Sequence, residues 1–277
     1  MNLSTVSLLK CPICSAQMQA DDTGKSVRCK GEKPHCYDLS RSGYLNLTHP
    51  KDGVGDSKAA VQARRLFLSG GYYKPLSDRI NQILEEQCVH SVLDAGCGEG
   101  YYTNRMQNGK REVLGIDLSR DGIDAAARYA KQNQTGVCFA VGSIFTLPVQ
   151  AEAFDAVTNL FAPCAEQEFL RVLKPGGTLI LIGAGERHLF GLKETLYEDP
   201  YLNPGRADLP AQMRQIDRQR LTYTINVEGE EQIAALFSMT PYYWRTSEAD
   251  KQKLHGLTSL QTQVDFDIYL FRKDPIQ

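Results

Sequence analysis

The strongest constraint on the fold is an alternation of short apolar runs with helix-length segments, which begins at Ser91. The five runs occupy residues 91–96, 112–118, 137–143, 154–161 and 177–183. The best helix candidate between them is residues 119–134, with Ser119 as a predicted N-cap. Strands separated by helices of about ten to fifteen residues are typical of βαβ units. The sequence therefore predicts an α/β domain with a parallel sheet.

Further elements are expected on both sides of this core. They are a helix from Lys58 to the Gly70-Gly71 pair, a helix starting at Pro75, a helix at 188–197, a polar insertion at 198–220, strands at 221–227 and 264–273, and a helix at 232–239. The two upstream helices follow a loop rich in glycine, aspartate and lysine, so residues 48–90 are expected to form a connector.

Composition and charge exclude several classes of protein. A hydrophobic content of 42% excludes disorder and fibres. No apolar run approaches the roughly 20 residues of a membrane helix, and the N-terminus does not resemble a secretory signal. We therefore expect a cytoplasmic protein without a membrane partner. Residues 1–80 hold 12 Lys+Arg against 7 Asp+Glu, which suggests either a local polyanion contact or simple solvation of a small module.

The first 36 residues contain four of the eight cysteines, Cys11, Cys14, Cys29 and Cys36. Clustered cysteines without an export signal indicate metal binding, and a Cys-x2-Cys turn followed by a second ligand pair is typical of structural zinc. A region of this size cannot bury enough surface to fold unaided. His35 and Cys36 are adjacent, so they compete to be the fourth ligand. The alternative is a small core of unligated cysteines.

A glycine-rich turn follows the first apolar run. It reads Asp94-Ala-Gly96-Cys-Gly98-Glu99-Gly100, so the third glycine comes one residue earlier than in a dinucleotide-binding turn. Two carboxylates here would repel a pyrophosphate but suit a cationic ligand. Asp117 closes the second run, where a carboxylate can bind both hydroxyls of a ribose, or act near a helix N-terminus. Together these features predict an S-adenosylmethionine site at the carboxyl ends of the strands.

The sequence resembles a known family, the bacterial 23S rRNA (guanine-N1)-methyltransferases of the RlmA type. The motifs that carry the resemblance are CPIC (11–14), SGYLNL (42–47), QARRLFLSGGYYKPL (62–76), VLDAGCGEGYYT (92–103), APC (162–164), LKPGG (173–177), RHLFGLK (187–193) and MTP (239–241). The glycine turn and LKPGG occur in many methyltransferases, whereas the zinc knuckle joined to QARR and APC is much more specific.

The resemblance implies a Rossmann-like class I methyltransferase domain at 91–277, a helical connector or lid at 48–90, and a zinc-ribbon-like module at 1–47 that contacts RNA. It implies zinc ligands at Cys11, Cys14, Cys29 and His35, and cofactor contacts at Tyr73, Gly98, Glu99 and His188. Asp94, Gly96 and Asp117 complete the predicted cofactor site. The implied partner is 23S rRNA, and the family's homodimers hold RNA in a cleft between subunits.

The substrate side of the site is less well defined by the sequence. Asn159 and Phe161 end the fourth run, near the expected substrate, and Phe161 is either a base-stacking or a core residue. Cys164 resembles the nucleophile of pyrimidine C5-methyltransferases, but a nitrogen acceptor needs no nucleophile, so a packing role is favoured. The acceptor of the guanine N1 proton is not assigned.

Basic residues of the N-terminal part are the predicted phosphate contacts. They are Lys10, Lys25, Arg28, Lys30, Lys33, Arg41, Arg64 and Arg65. Two alternatives remain at this stage: a small-molecule methyltransferase whose zinc module binds protein, and a non-enzymatic RNA-binding protein whose cofactor fold has decayed.

Overall fold

The computed structural model describes residues 3–49 and 52–274. Residues 1–2, 50–51 and 275–277 lie outside the described residues. They include part of the predicted connector loop and the outer ends of the predicted zinc module and methyltransferase domain.

The N-terminal module is a small antiparallel sheet preceded by a short helix. Helix α1 (Leu3–Ser7) leads into strands β1 (Met18–Ala20), β2 (Ser26–Cys29) and β3 (Cys36–Asp38), which pair in the order β1-β2-β3. Strand β1 lies antiparallel to β2, and β2 antiparallel to β3. These short hairpins bring the cysteine turn at 11–14 towards the end of β2.

An eight-stranded mixed sheet forms the body of the protein. Its strands are β4 (Leu45–Asn46), β5 (Ser91–Ala95), β6 (Glu112–Asp117), β7 (Cys138–Val141), β8 (Phe154–Leu160), β9 (Leu173–Ala184), β10 (Arg214–Glu228) and β11 (Ser259–Arg272). Their spatial order is β10-β11-β9-β8-β5-β6-β7-β4. Strands β4 to β9 pair in parallel, and β11 is antiparallel to β9 and β10. The predicted α/β domain with a parallel sheet is confirmed.

Helices connect the strands and cover the sheet. They are α2 (Lys58–Ser69), α3 (Lys74–Glu86), α4 (Tyr101–Met106), α5 (Arg120–Asn133), α6 (Glu166–Val172), α7 (Phe190–Leu196), α8 (Glu230–Ser238) and α9 (Glu248–Gln252). The predicted signals act locally: Ser119 accepts a hydrogen bond from the Gly122 amide at the start of α5, and Gly70 caps the end of α2. None of these helices, nor α1, is long and apolar enough to cross a bilayer, among the residues described.

The hydrophobic core joins the small module to the large sheet. Leu9 and Met18 of the module are buried in the same apolar cluster as Leu93 and Leu114 of the central strands. Strand β4 also extends the large sheet through its pairing with β7, and Leu9 forms an isolated bridge with Val149. The module is therefore packed as part of the methyltransferase body.

One predicted boundary is wrong. The insertion expected at 198–220 ends at residue 213, because β10 already begins at Arg214. Most side chains in the first half of β10 are exposed, since β10 is the edge strand of the sheet and pairs only with β11 among the described strands. A solvated edge strand has few apolar residues, so its first residues read as a polar loop.

Candidate functional site

Four side chains of the N-terminal module converge on one point. The ligand atoms of Cys11, Cys14, Cys29 and His35 all lie within 4.8 Å of one another. Cys14 Sγ is 3.5 Å from Cys29 Sγ, and His35 Nδ1 is 3.6 Å from Cys11 Sγ. Zinc–sulfur bonds of about 2.3 Å in a tetrahedron place ligand atoms about 3.8 Å apart, so the set fits zinc.

The surroundings of Cys29 favour its thiolate form. Burial raises the pKa of the Cys29 thiol, but hydrogen bonds from the amides of His35 and Gly31 outweigh that effect and lower the pKa to about 6. The Tyr37 hydroxyl lies 3.2 Å from Cys11 Sγ, a contact that the sequence did not suggest. Cys36 is exposed and lies outside the cluster, so the geometry favours His35 as the fourth ligand.

The glycine-rich turn leaves the end of β5 in a left-handed backbone. The φ angles of Gly96, Gly98 and Gly100 are +85°, +55° and +76°. A Cβ atom at Gly96 would lie 2.8 Å from the Ala162 side chain, and one at Gly100 would lie 2.6 Å from that of Ala126. Glycine is required here both by conformation and by close approach.

Asp94 supports this turn from beneath. Its carboxylate accepts hydrogen bonds from Thr103 Oγ1 at 2.5 Å and from Thr158 Oγ1 at 2.8 Å, in a buried position. Burial raises the pKa of Asp94 to about 6, against the effect of the two hydroxyls. Its two oxygens are thus engaged by the protein, and Asp94 ties β5 to α4 and β8.

Asp117 faces the turn from the end of β6. It accepts hydrogen bonds from the Gly98 amide at 2.9 Å and from the Ser119 amide at 2.7 Å. Burial raises the pKa of Asp117, and the two amides oppose this shift. The predicted carboxylate and the predicted glycine turn therefore lie in direct contact.

Glu99 has a buried carboxylate whose Oε2 lacks a hydrogen-bond partner among the described residues. Its pKa is raised to about 7 by burial, while the neighbouring Arg64 acts in the opposite direction. Burying a carboxylate oxygen without a hydrogen bond costs folding free energy, and a bound donor or cation would offset that cost. With Asp117 beside the turn, this chemistry fits the positively charged S-adenosylmethionine better than a pyrophosphate.

Arg64 reaches this site from helix α2. Its guanidinium lies 2.7 Å from Asp56 Oδ2 and 3.6 Å from Glu99 Oε2. The sequence suggested an RNA contact or a solvated helix face for Arg64, and its position beside Glu99 was missed. No local motif distinguishes it from Arg65, which is exposed.

Tyr73 and His188 form a second, mostly apolar part of the site. The Tyr73 hydroxyl lies 3.2 Å from His188 Nε2, and the Asp265 amide donates to His188 Nδ1 at 3.3 Å. Nδ1 is therefore an acceptor, and Nε2 carries the proton of a neutral ring. Burial lowers the pKa of His188 to about 4, consistent with a neutral imidazole.

The loop after β8 connects the two parts of the site. Ala162 lies against Gly96, and the Phe161 ring is 6.4 Å from that of His188. Asn159 is buried and donates to the Ala95 carbonyl at 2.9 Å. The pKa of the Cys164 thiol is raised to about 11 by burial, which does not favour a nucleophilic thiolate.

Comparison with known proteins agrees with this geometry. Residues 9–49 match the family model "RlmA, N-terminal", and residues 92–177 match a methyltransferase domain. The chain is 32% identical to YxjB of Bacillus subtilis (strain 168), a candidate 23S rRNA (guanine-N1)-methyltransferase, over 96% of this chain and 98% of that protein. The chain belongs to this methyltransferase family. Its cofactors are S-adenosylmethionine and a zinc ion.

A second relative has a more closely defined acceptor in its name. The 23S rRNA (guanine(748)-N(1))-methyltransferase of Streptomyces fradiae is 28% identical, over 97% of this chain and 98% of the relative. Both relatives thus align with this methyltransferase across the zinc module, the connector and the catalytic domain together.

Proposed function

We propose that this protein transfers a methyl group from S-adenosylmethionine to N1 of a guanine in 23S rRNA. The observation that carries the proposal is the carboxylate-flanked glycine turn of Glu99 and Asp117. It belongs to a chain that aligns over its length with a Streptomyces fradiae enzyme named for that acceptor atom. The cofactor supplies a methyl group that is already electrophilic, so the main task of the protein is to position the acceptor.

The proposed cofactor contacts divide by chemistry. Asp117 binds the ribose hydroxyls, and Glu99 faces the positive charge of the amino-acid end. Gly96 and Gly98 allow the ligand to approach the backbone closely, while Asp94 holds the turn from beneath. Tyr73 and His188 then border the methionine end of the cofactor.

Proton positions restrict the roles of Tyr73 and His188. Because His188 Nε2 carries the ring proton, it donates to the Tyr73 oxygen, which leaves the Tyr73 hydroxyl proton free to donate into the site. Burial holds the pKa of Tyr73 well above its ordinary value, so its phenol stays protonated. In this arrangement Tyr73 orients a ligand by hydrogen bonding and His188 holds the Tyr73 hydroxyl in place, so neither is the acceptor of the guanine N1 proton.

The N-terminal module has a structural and an RNA-binding role in this proposal. Cys11, Cys14, Cys29 and His35 hold one zinc ion, and four protein ligands leave no open position for catalysis. Five basic side chains of the module are exposed, which supports phosphate contact. They are Lys25, Arg28, Lys30, Lys33 and Arg41.

The proposed organisation follows the same division. Residues 1–47 are the RNA-contact module, 48–90 the connector over the cofactor, and 91–277 the methyltransferase domain. The protein acts in the cytoplasm, as a homodimer with RNA between its subunits.

The test is methyl transfer to a defined acceptor. Purified protein and radiolabelled S-adenosylmethionine are incubated with unmodified 23S rRNA hairpin fragments, and in parallel with pooled small metabolites. A methyl group on guanine N1 blocks base pairing, so reverse transcription should stop at one guanine. Label found only in small molecules would contradict the proposal and favour a small-molecule methyltransferase.

A further inference from the structure

Residues 161–164 form a loop that lies between the glycine-rich turn and the insertion at 198–213. Strand β8 lies beside β5, so their carboxyl ends are adjacent, and the loop after β8 touches the glycine turn through Ala162. In the proposed function an acceptor base must enter next to this turn. The inference below rests on that function.

Phe161 stands in this loop with an unusual backbone. Its φ angle is +55°, a left-handed conformation that is unfavourable for a bulky L-residue and persists only where the surroundings impose it. The residue is nevertheless 47% exposed. Its inner contacts are aromatic, with the Phe266 ring at 5.9 Å and the His188 ring at 6.4 Å. The backbone is thus held so that a large apolar face remains open beside the site.

Arg206, from the insertion, holds this conformation. Its guanidinium donates to the Ala162 carbonyl at 2.7 Å, to Asn159 Oδ1 at 3.1 Å and to the Ile182 carbonyl at 3.2 Å. Its side chain is only 9% exposed. One planar group therefore joins the ends of β8 and β9 to the loop, and the shorter, single-point ammonium of lysine does not reproduce that fork.

Asp208 links Arg206 to the far end of the loop. It accepts from Arg206 Nε at 2.7 Å and from the Cys164 amide at 2.7 Å. The loop is thereby fixed on both sides of Phe161. The polar insertion, which the sequence left without a function, contributes both charged residues.

We propose that Phe161 is the platform on which the target guanine stacks, and that Arg206 is the positioning residue that holds this platform through Asn159, Ala162 and Asp208. Base–aromatic stacking needs only an open ring face, which Phe161 offers. Arg206 does not touch the substrate. It acts only through the orientation of the loop.

The experiment compares Phe161→Leu, Phe161→Tyr, Arg206→Lys and the double variant Phe161→Leu/Arg206→Lys in steady-state methylation of an rRNA hairpin. Loss of a stacked base predicts a fall in kcat/KM for RNA of about tenfold in Phe161→Leu, with partial restoration in Phe161→Tyr. Arg206→Lys should show a comparable fall. The affinity for S-adenosylhomocysteine, measured by calorimetry, should change less than about twofold.

The double variant separates positioning from general stability. If Arg206 acts through Phe161, the double variant is no less active than Phe161→Leu alone, because the platform is already lost. The matched control is Arg111→Lys, a buried arginine that donates to the Met106 carbonyl before β6 begins, at the opposite end of the strands. It should lower the thermal midpoint without changing KM for RNA.

Two outcomes overturn the inference while the wild type is active: full RNA activity in Phe161→Leu, or additive losses in the double variant. If Arg206→Lys does not fold, the exposed partner of Arg206 is changed instead. Asp208→Asn is then compared with Phe161→Leu and with the double variant Phe161→Leu/Asp208→Asn. A wild type that methylates no rRNA fragment overturns the proposed function itself, and the inference with it.

Discussion

Nη1 of Arg64 lies 3.6 Å from Oε2 of Glu99, a carboxylate oxygen without a hydrogen bond among the described residues. The cation comes from the connector and the carboxylate from the glycine turn, so the charge of one segment is matched by the other. The same guanidinium also contacts Asp56, which precedes α2. The connector is therefore tied electrostatically to the site where a cationic cofactor is proposed to bind.

The first prediction concerns the pH dependence of stability through Glu99. Its pKa is about 7 in the folded protein, against an ordinary value of 4.5, because it is buried. The folded state thus holds the proton more tightly than the unfolded chain. The stability that this provides is complete below about pH 4.5 and is lost as the pH rises through about 7. A shift of this size corresponds to about 3 kcal/mol.

The test is urea unfolding of the cofactor-free protein between pH 5 and pH 8, with zinc in excess. Glu99→Gln should flatten the decline in the free energy of unfolding, whereas Glu231→Gln, at an exposed position on α8, should leave it unchanged. Identical pH profiles for wild type and Glu99→Gln would show that the carboxyl is not protonated on burial.

The second prediction concerns the metal. Cys14→Ser should abolish the binding of one zinc ion per chain, because the cluster loses a thiolate ligand. Cys36→Ser is the matched control and should keep the full zinc content, since Cys36 lies outside the cluster. Elemental analysis after purification in reducing, chelator-free buffer provides the measurement. Loss of zinc in Cys36→Ser but not in a His35→Ala variant would reassign the fourth ligand.

The third prediction concerns cofactor affinity. Asp117→Asn should weaken S-adenosylhomocysteine binding about tenfold or more, because hydrogen bonds to a charged acceptor contribute about 1.5–3 kcal/mol. Asp121→Asn, on the exposed first turn of α5, should bind normally. Isothermal titration calorimetry measures both, with thermal unfolding to verify the fold. Wild-type affinity in Asp117→Asn would exclude the ribose contact.

The fourth prediction concerns RNA binding by the module. If Arg28 contacts a phosphate, Arg28→Ala should reduce the slope of log K against log salt concentration by about 1. Lys110→Ala, on an exposed turn before β6, should keep the slope of the wild type. Filter binding to an rRNA hairpin at several salt concentrations is sufficient. Affinity that does not vary with salt would rule out phosphate contact as the source of binding.

The parallel strands β5 to β9 could be predicted because most of their residues are buried and each contains a continuous apolar run. All five residues of β5 are buried, for example. Strand β4 could not be predicted, because it consists only of Leu45 and Asn46. Two residues give no strand pattern, and these form a strand only by pairing with β7. The early start of β10 was missed because an exposed edge strand carries polar side chains, such as Arg218, that read as a loop.

The places of some candidate site residues in the fold could be predicted in the same way. Asp94, Glu99 and Asp117 follow from strand ends and a glycine turn, which are local patterns. Arg64 and Arg206 were missed because their partners lie far away in sequence: Arg206 meets Asn159 across 47 residues. Long-range polar pairs of this kind depend on the completed fold, and a single arginine in a polar segment gives no signal of its partner.

The pairing of β4 with β7 has a consequence for how this protein can be divided. A catalytic fragment that starts at the connector would leave the edge of β7 that faces away from β6 without its partner strand, and would remove Leu9 and Met18 from the apolar cluster that they share with the central strands. Such a truncation would expose a strand edge and apolar side chains, which promote self-association. The N-terminal module is thus an integral edge of the methyltransferase fold. Transplanting it to another protein would expose apolar and backbone surface on both parts.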